Sequence, residues 1–191
     1  MAPRAREKVT YEDLLKVPDN MVAEVIDGEL YTWPRPSGKH ARVSSRLGMK
    51  IGSAYDLADS GPGGWWILDE PELHFRDDIL VPDIGGWRRE RMPHYPEASG
   101  CEIAPDWICE VLSPSTGRVD RGKKLPIYAR ENVQWAWIID PALQTIEIKR
   151  LEAGRWFDLT VFSGDDLARA EPFPEIEFSA SIFWTSPLPP P

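Results

Sequence analysis

The chain has 191 residues, 42% hydrophobic and 28% charged, with 19 prolines, 9 tryptophans and 2 cysteines. That composition excludes a fully disordered chain and a fibrous repeat, and the length suits one domain that folds without disulfide or metal. The balance of 22 Lys+Arg against 31 Asp+Glu gives a formal net charge of -9. This argues against a protein that coats nucleic acid with a basic face, while an enzyme using a local basic patch and a divalent cation stays open.

Residues 1–9 are polar and expected to be disordered. Thr10 then caps a short helix, with Asp13 at the capping-box position, and Pro18 ends it. Residues 22–33 read as a hairpin turning at Asp27-Gly28. Ser37 is a plausible cap for a helix from His40 to about Ala58, where Val43, Leu47, Ile51, Ala54 and Ala58 recur at helical spacing. WWILD, ELHF and ILVPDIGGW read as three strands. Residues 88–104 read as a loop, and DWICEVLS as a buried strand. SPSTGRVDRG reads as a second loop before a helix from about Lys123 to Glu131, with Pro126 in its first turn. WAWIID and TIEIKRL form a hairpin across DPALQ, RWFDLTVF adds a strand, and PFPEIEFSASIFW is a strand or a short helix. The predicted fold class is α/β (α+β): a central mixed sheet flanked by two helices, with peripheral β-hairpins, over residues 10–185. Residues 186–191 form a proline-rich tail, expected to be mobile.

No apolar run reaches 18 residues and the start has no apolar signal-peptide core, so a soluble cytoplasmic protein is expected. Cys101 and Cys109 are not spaced as a ligand pair. His74 and His94 have no partner at metal spacing and read as surface or loop residues.

Two acids stand in apolar surroundings, Asp83 in ILVPDI and Glu110 in WICEVL. Burying either carboxylate is costly, and two on neighbouring strands repel; a divalent cation between them resolves both costs. Strand alternation sends Cys109 to the face opposite Glu110. Taken singly, each acid reads as structural. Together, and followed by a helix carrying Lys124, they read as a site. Asp120, Lys124 and Tyr128 fall at i, i+4 and i+8, one face of a helix if it extends back to Asp120. There Lys124 either neutralises charge developing on a phosphoryl oxygen or is a solvated surface lysine. His40 either contacts a phosphate or acts as a base, or is a helix-start histidine bonded to backbone. Arg88, Arg89 and Arg91 are either a phosphate-contacting patch or a solvated loop. Trp65, Trp66, Trp135 and Trp137 read as core or subunit interface.

These residues carry a family resemblance. Glu24 to Leu30, His40, Val81-Pro82-Asp83, Pro105 to Thr116, then Asp120, Lys124, Tyr128 and Trp137 to Pro141 resemble the Uma-two family of restriction-endonuclease-like proteins, in the PD-(D/E)XK nuclease superfamily. The likeness runs from Tyr11 to Trp184. It implies a restriction-endonuclease-like core in which Asp83 and Glu110 bind Mg²⁺ or Mn²⁺. The superfamily lysine two residues after the second acid is Leu112 here, and the resemblance moves that role to Lys124. By the same resemblance Glu24 completes the metal site or holds a metal-bound water; otherwise it is a strand glutamate paired with an Arg or Lys. Asn132 replaces a common glycine, which its tolerance of the left-handed conformation allows. The implied activity is metal-dependent hydrolysis of DNA, with a non-catalytic binding or regulatory module as the alternative. In an enzyme the Lys124 ammonium is expected within a few ångströms of the space between Asp83 and Glu110, whereas in a binding module it is free to point to solvent. The apolar strands WAWIID and RWFDLTVF, with the symmetry of a two-strand cut, give the expectation of a homodimer.

Overall fold

In a computed structural model describing residues 9–59 and 61–185, the chain opens on a helical turn, α1 (Tyr11–Leu14), held by a capping box in which Asp13 accepts from the Thr10 backbone and hydroxyl. Val9 packs beside Leu14, Val25 and Ile79. The rest of the segment expected to be disordered, and the proline-rich tail, lie outside the described residues. Strands β1 (Met21–Ile26) and β2 (Glu29–Pro34) form the expected hairpin. Its turn needs positive φ at both central positions, and Asp27 (53°) and Gly28 (74°) supply it.

Helix α2 (Gly38–Ile51) follows, with the Ser37 side chain accepting from the His40 N–H, and it runs on into a π-helical turn over Gly52–Asp56. Its Val43, Leu47 and Ile51 side chains are buried, the face that the apolar spacing predicts. Next come β3 (Trp65–Asp69), β4 (Glu72–Phe75), β5 (Asp78–Leu80), β6 (Ile84–Arg88), β7 (Gly100–Cys101) and β8 (Trp107–Val111). The single strand expected over ILVPDIGGW is two. β5 and β6 belong to different sheets, and Val81-Pro82-Asp83 is the crossing between them. Pro82 has no N–H to give a ladder, so pairing breaks there.

The loop expected after β8 is shorter than the sequence suggests. Helix begins at Gly117 (α3, Gly117–Val119), widens into a π-helical turn over Asp120–Lys124, and continues as α4 (Leu125–Arg130). Leu125 N–H reaches back to Asp120 C=O, five residues away. Pro126 follows the widened turn directly, so this helix accommodates a proline that a uniform one resists. Asn132, at φ 62°, stands in the left-handed region just after α4. The chain ends with β9 (Trp135–Asp140), β10 (Thr145–Glu152), β11 (Arg155–Ser163), β12 (Leu167–Ala170), β13 (Phe173–Ser179) and a 3₁₀ turn, Ala180–Phe183. PFPEIEFSASIFW therefore supplies both a strand and a helical turn.

The architecture is mixed α+β, with more than one sheet. One has the order β11-β10-β9-β8-β6-β3, another β2-β1-β5-β4-β7, and β12 and β13 pair separately. The first is mixed because β8 and β9 run parallel while its other pairs are antiparallel. Alternation along β8 decides what packs where. Trp107, Cys109 and Val111 join the cluster of Val43, Leu47 and Ile51 on the α2 side, where Phe173 meets the rings of Tyr55, Trp65, Trp107 and Trp137 at centroid distances of 4.6 to 5.8 Å. Ile108 turns the other way, into a cluster with Leu125 and Tyr128 of the second helix and Ile26, Leu73 and Leu80 of the β1-containing sheet. Glu110 shares that face. Such clusters, each buried residue contributing on the order of 1.5–3 kcal/mol, clamp the crossing at Asp83 between two sheets.

Candidate active site

Five segments bring polar groups to one cavity of about 290 Å³: β1, the β5–β6 crossing, β8, the start of α2 and the π-helical turn. Glu24, His40, Asp83, Glu110, Asp120 and Lys124 all line it. Each is placed by a local rule. Glu24 lies on β1 opposite Tyr31 of β2. Asp83 immediately precedes β6, and Ile84 pairs with Cys109, so Asp83 comes beside Glu110 and Val111. Asp120 and Lys124 begin and end the π-helical turn, which stacks residues four apart.

Lys124 is fully buried at the centre of three carboxyls. Its Nζ is 2.8 Å from Glu110 Oε1, 2.9 Å from Glu24 Oε1 and 3.6 Å from Asp120 Oδ1, and it donates to the Val81 carbonyl at 3.2 Å. The Val81 N–H donates to Glu24 at 2.6 Å, and the Tyr128 hydroxyl to Glu110 at 2.6 Å. Asp83 is held separately. Its Oδ2 accepts from the Val111 N–H at 2.7 Å and its Oδ1 lies 3.1 Å from His40 Nε2. His40 Nδ1 is buried without a hydrogen-bond partner among the described residues.

The titration of these groups follows from burial and a shortage of positive charge. Burial raises Glu24, Glu110 and Asp120 above the usual carboxyl range, and the nearby Lys124 only partly opposes it. Burial also pulls Lys124 down, but Glu110 and Glu24 outweigh it and hold the ammonium well above its ordinary pKa. Burial lowers His40, and the hydrogen bond and charge of Asp83 more than reverse it. Burial and then the Glu110 charge raise Tyr128.

This has a consequence for stability. Carboxyls and a histidine with raised native pKa values bind more protons folded than unfolded, so stability must fall as pH rises through those values. Their contribution is complete below the unfolded pKa and lost above the folded one. The metal-free protein is therefore expected to melt at a lower temperature at pH 8 than at pH 5.5. Each extra native-state proton contributes a slope of about 1.4 kcal/mol per pH unit. Thermal melts across that range check it; a melting temperature that rises steadily with pH contradicts the raised carboxyls.

The donor set fits a hard divalent cation. Asp83 and Glu110 offer oxygen donors from neighbouring segments, and the cavity carries more acid than Lys124 and His40 balance. Among the described residues no three His, Cys, Asp or Glu side chains surround one point, because Glu24 and Glu110 turn to Lys124 while Asp83 turns to His40. A two-carboxylate site matches Mg²⁺, which keeps most of its waters and takes one or two protein carboxylates with substrate phosphate.

The structure thus gathers Glu24, His40, Asp83, Glu110 and Lys124, with Lys124 on Glu110 and Glu24 rather than on Asp83. It does not bring Arg88, Arg89 or Arg91 to them. Arg89 is paired with Asp56 at 2.7 Å and lies over the Trp66 ring, Arg91 is paired with Asp106 at 2.8 Å, and Arg88 lies over the Trp65 ring. Adjacency in sequence misleads there, since β6 carries the chain roughly 3.3 Å per residue away from Asp83. Glu24 is paired with Lys124, as its reading as a strand glutamate with a basic partner expects, and it lines the cavity. Asp120 is an acid of the cluster that the sequence marks by its spacing to Lys124 and by its place in the family resemblance, without a role of its own. The Val81 main chain carries no sequence signal at all. Ser113, Ser115 and Thr116 also line the cavity, with Ser113 Oγ 2.9 Å from Ser115 Oγ and 3.0 Å from Thr116 Oγ1. Leu112 is packed in the apolar cluster beside α4. No helix among the described residues is long and apolar enough to cross a membrane.

A family model described as "putative restriction endonuclease" matches residues 10–182. Among solved structures, a crystal structure of a putative nuclease of the DUF820 family from Anabaena variabilis is similar to this chain. It shares 27% identity over 92% of this chain and 97% of that one, with a TM-score of 0.74. No curated protein sequence matches the chain.

Proposed function

The chain belongs to the Uma2 family of putative restriction endonucleases, and from that premise we propose that it is a Mg²⁺- or Mn²⁺-dependent nuclease that hydrolyses DNA phosphodiester bonds. The observation that carries the reading is the cavity itself, in which three buried carboxyls share one lysine beside a fourth acid, Asp83. Asp83 and Glu110 would hold the cation. Bound there, it supplies a Lewis acid for the phosphate and lowers the pKa of an attacking water.

The other residues have roles that follow from their contacts. Lys124 stays protonated, so it serves as a fixed positive charge for the phosphate rather than as a base. Glu24, Asp120 and the Val81 carbonyl hold that ammonium in place, which spares reorganisation during reaction. Tyr128 orients Glu110 through its hydroxyl. His40 is placed to hold a proton next to Asp83. Convergence of Lys124 with Glu110 and Glu24 supports the enzyme over a non-catalytic module, whose support is the net charge of -9. The proposal includes a homodimer, supported by β11, an edge strand with exposed Phe157, Leu159 and Val161; light scattering decides it. Activity is tested by plasmid nicking. The protein with Mn²⁺ is expected to nick, and excess chelator to stop it. Nicking that persists in chelator, or never occurs with either cation, overturns the assignment.

A further inference from the structure

The cavity has an aromatic and proline wall that phosphate chemistry leaves unused. Trp33 lines it together with Pro34, Pro36 and Pro114. Strand register fixes the placement: Glu24 pairs with Tyr31 and Val22 with Trp33, so both rings share a hairpin face with the Glu24 side chain that holds Lys124. Tyr31 and Trp33 stack at 5.7 Å between centroids and 19° between planes. Trp33 remains partly exposed.

We propose that the cavity takes one unpaired nucleotide whose base stacks on Trp33, so that single-stranded DNA is preferred over a closed duplex as substrate. The inference rests on the hydrolytic reading above and narrows it. Size is one argument. A cavity of about 290 Å³ is close to the smallest pockets that hold a single small molecule, roughly 300–1,000 Å³, which suits one nucleotide. Charge is another. Duplex binding draws on several phosphate contacts from Lys and Arg, but the basic side chains lining this cavity are Arg35, His40 and Lys124, and Lys124 is assigned to the reacting phosphate alone. Arg35 is paired with Glu70 at 3.1 Å and donates to the Asp19 carbonyl at 3.2 Å, and His40 lies against Asp83. Where phosphate contacts are few, stacking must supply affinity, and an aromatic face accepts any base. An unpaired nucleotide also exposes its phosphate to the acids without first being pulled from a stack.

The test measures binding apart from cleavage. Fluorescence anisotropy with a labelled twelve-nucleotide strand, in Ca²⁺ to suppress turnover, is compared with a blunt hairpin duplex of the same sequence. Single strands are expected to bind at least roughly tenfold more tightly. Trp33→Ala is expected to weaken single-strand binding by about tenfold or more, and Trp33→Phe, which keeps a stacking face, by much less. Duplex binding equal to or tighter than single-strand binding by the unaltered protein overturns the proposal whatever the variants do. So does equal loss in the Phe and Ala variants, or binding of neither strand form. A parallel Mn²⁺ digestion separates the two readings. Trp33-dependent binding without cleavage leaves the stacking site standing, with single-stranded DNA as ligand, and removes hydrolysis. Cleavage that favours duplex leaves hydrolysis standing and removes this proposal.

Discussion

Lys124→Ala is expected to lower the melting temperature by roughly 10 °C and to abolish cleavage. The size follows from the charge count. Lys124 lies against Glu24, Glu110 and Asp120, all buried. Removing one partner of a buried ionic cluster costs about 3–5 kcal/mol, because the charges left behind are uncompensated. In a chain of this length each kcal/mol moves the melting temperature by roughly 2–4 °C. The loss should be smaller at pH 5 than at pH 8, since the carboxyls with raised pKa values take up protons in place of the missing cation. Added Mn²⁺ should return part of the stability if it binds beside Glu110. Lys124 holds the cavity together as well as charging it. Melts at the two pH values, with and without Mn²⁺, check the result. An unchanged melting temperature means that Lys124 does not bear the charge of the cluster.

How far the sequence shows this site depends on whether a residue's neighbours are local. Asp120 and Lys124 are legible because four residues along a helix is a contact. Glu110 is legible because a carboxylate in Trp107–Val111, with every residue of that strand buried, demands a partner. The Asp27-Gly28 turn is legible because its backbone angles restrict the residues that fit. What is not legible is non-local. Nothing in ILVPDIGGW states that the chain leaves one sheet at Val81 and joins another at Ile84, although Pro82 marks the break. The arginines after Trp87 look close to Asp83 until the extension of β6 is counted. The start of the second helix at Gly117 is hidden by Pro114, Gly117 and Gly122, whose propensities favour a loop. Packing of Leu112, Val119 and Leu125 against the β8 face overrides them. The hairpin over 22–33 does not by itself show that Trp33 shares the face of Glu24; the register supplies that.

Asp83→Asn is expected to leave the fold intact and to remove activity. The replacement has the same shape, and its carbonyl oxygen can still accept from the Val111 N–H, the bond that ties the β5–β6 crossing to β8. Its other atom becomes an NH₂, which can no longer serve as an anionic partner for His40. The melting temperature should therefore shift by only a few degrees, in contrast to Lys124→Ala. Cation binding should suffer far more. Mg²⁺ relies on one or two carboxylates, and even groups that merely orient a ligand cost about 10–100-fold in affinity or activity when lost. A ligand itself should cost at least about 100-fold in nicking, with a matching loss of Mn²⁺ affinity by titration calorimetry. With Asp83 neutral, the support that raises the His40 pKa also goes, so the imidazole should titrate at lower pH by NMR. Melting temperature and Mn²⁺ affinity together separate a metal ligand from a structural acid. A structural acid lowers the melting temperature and leaves Mn²⁺ affinity alone. Full nicking with unaltered Mn²⁺ affinity in Asp83→Asn overturns the assignment of Asp83 as a metal ligand.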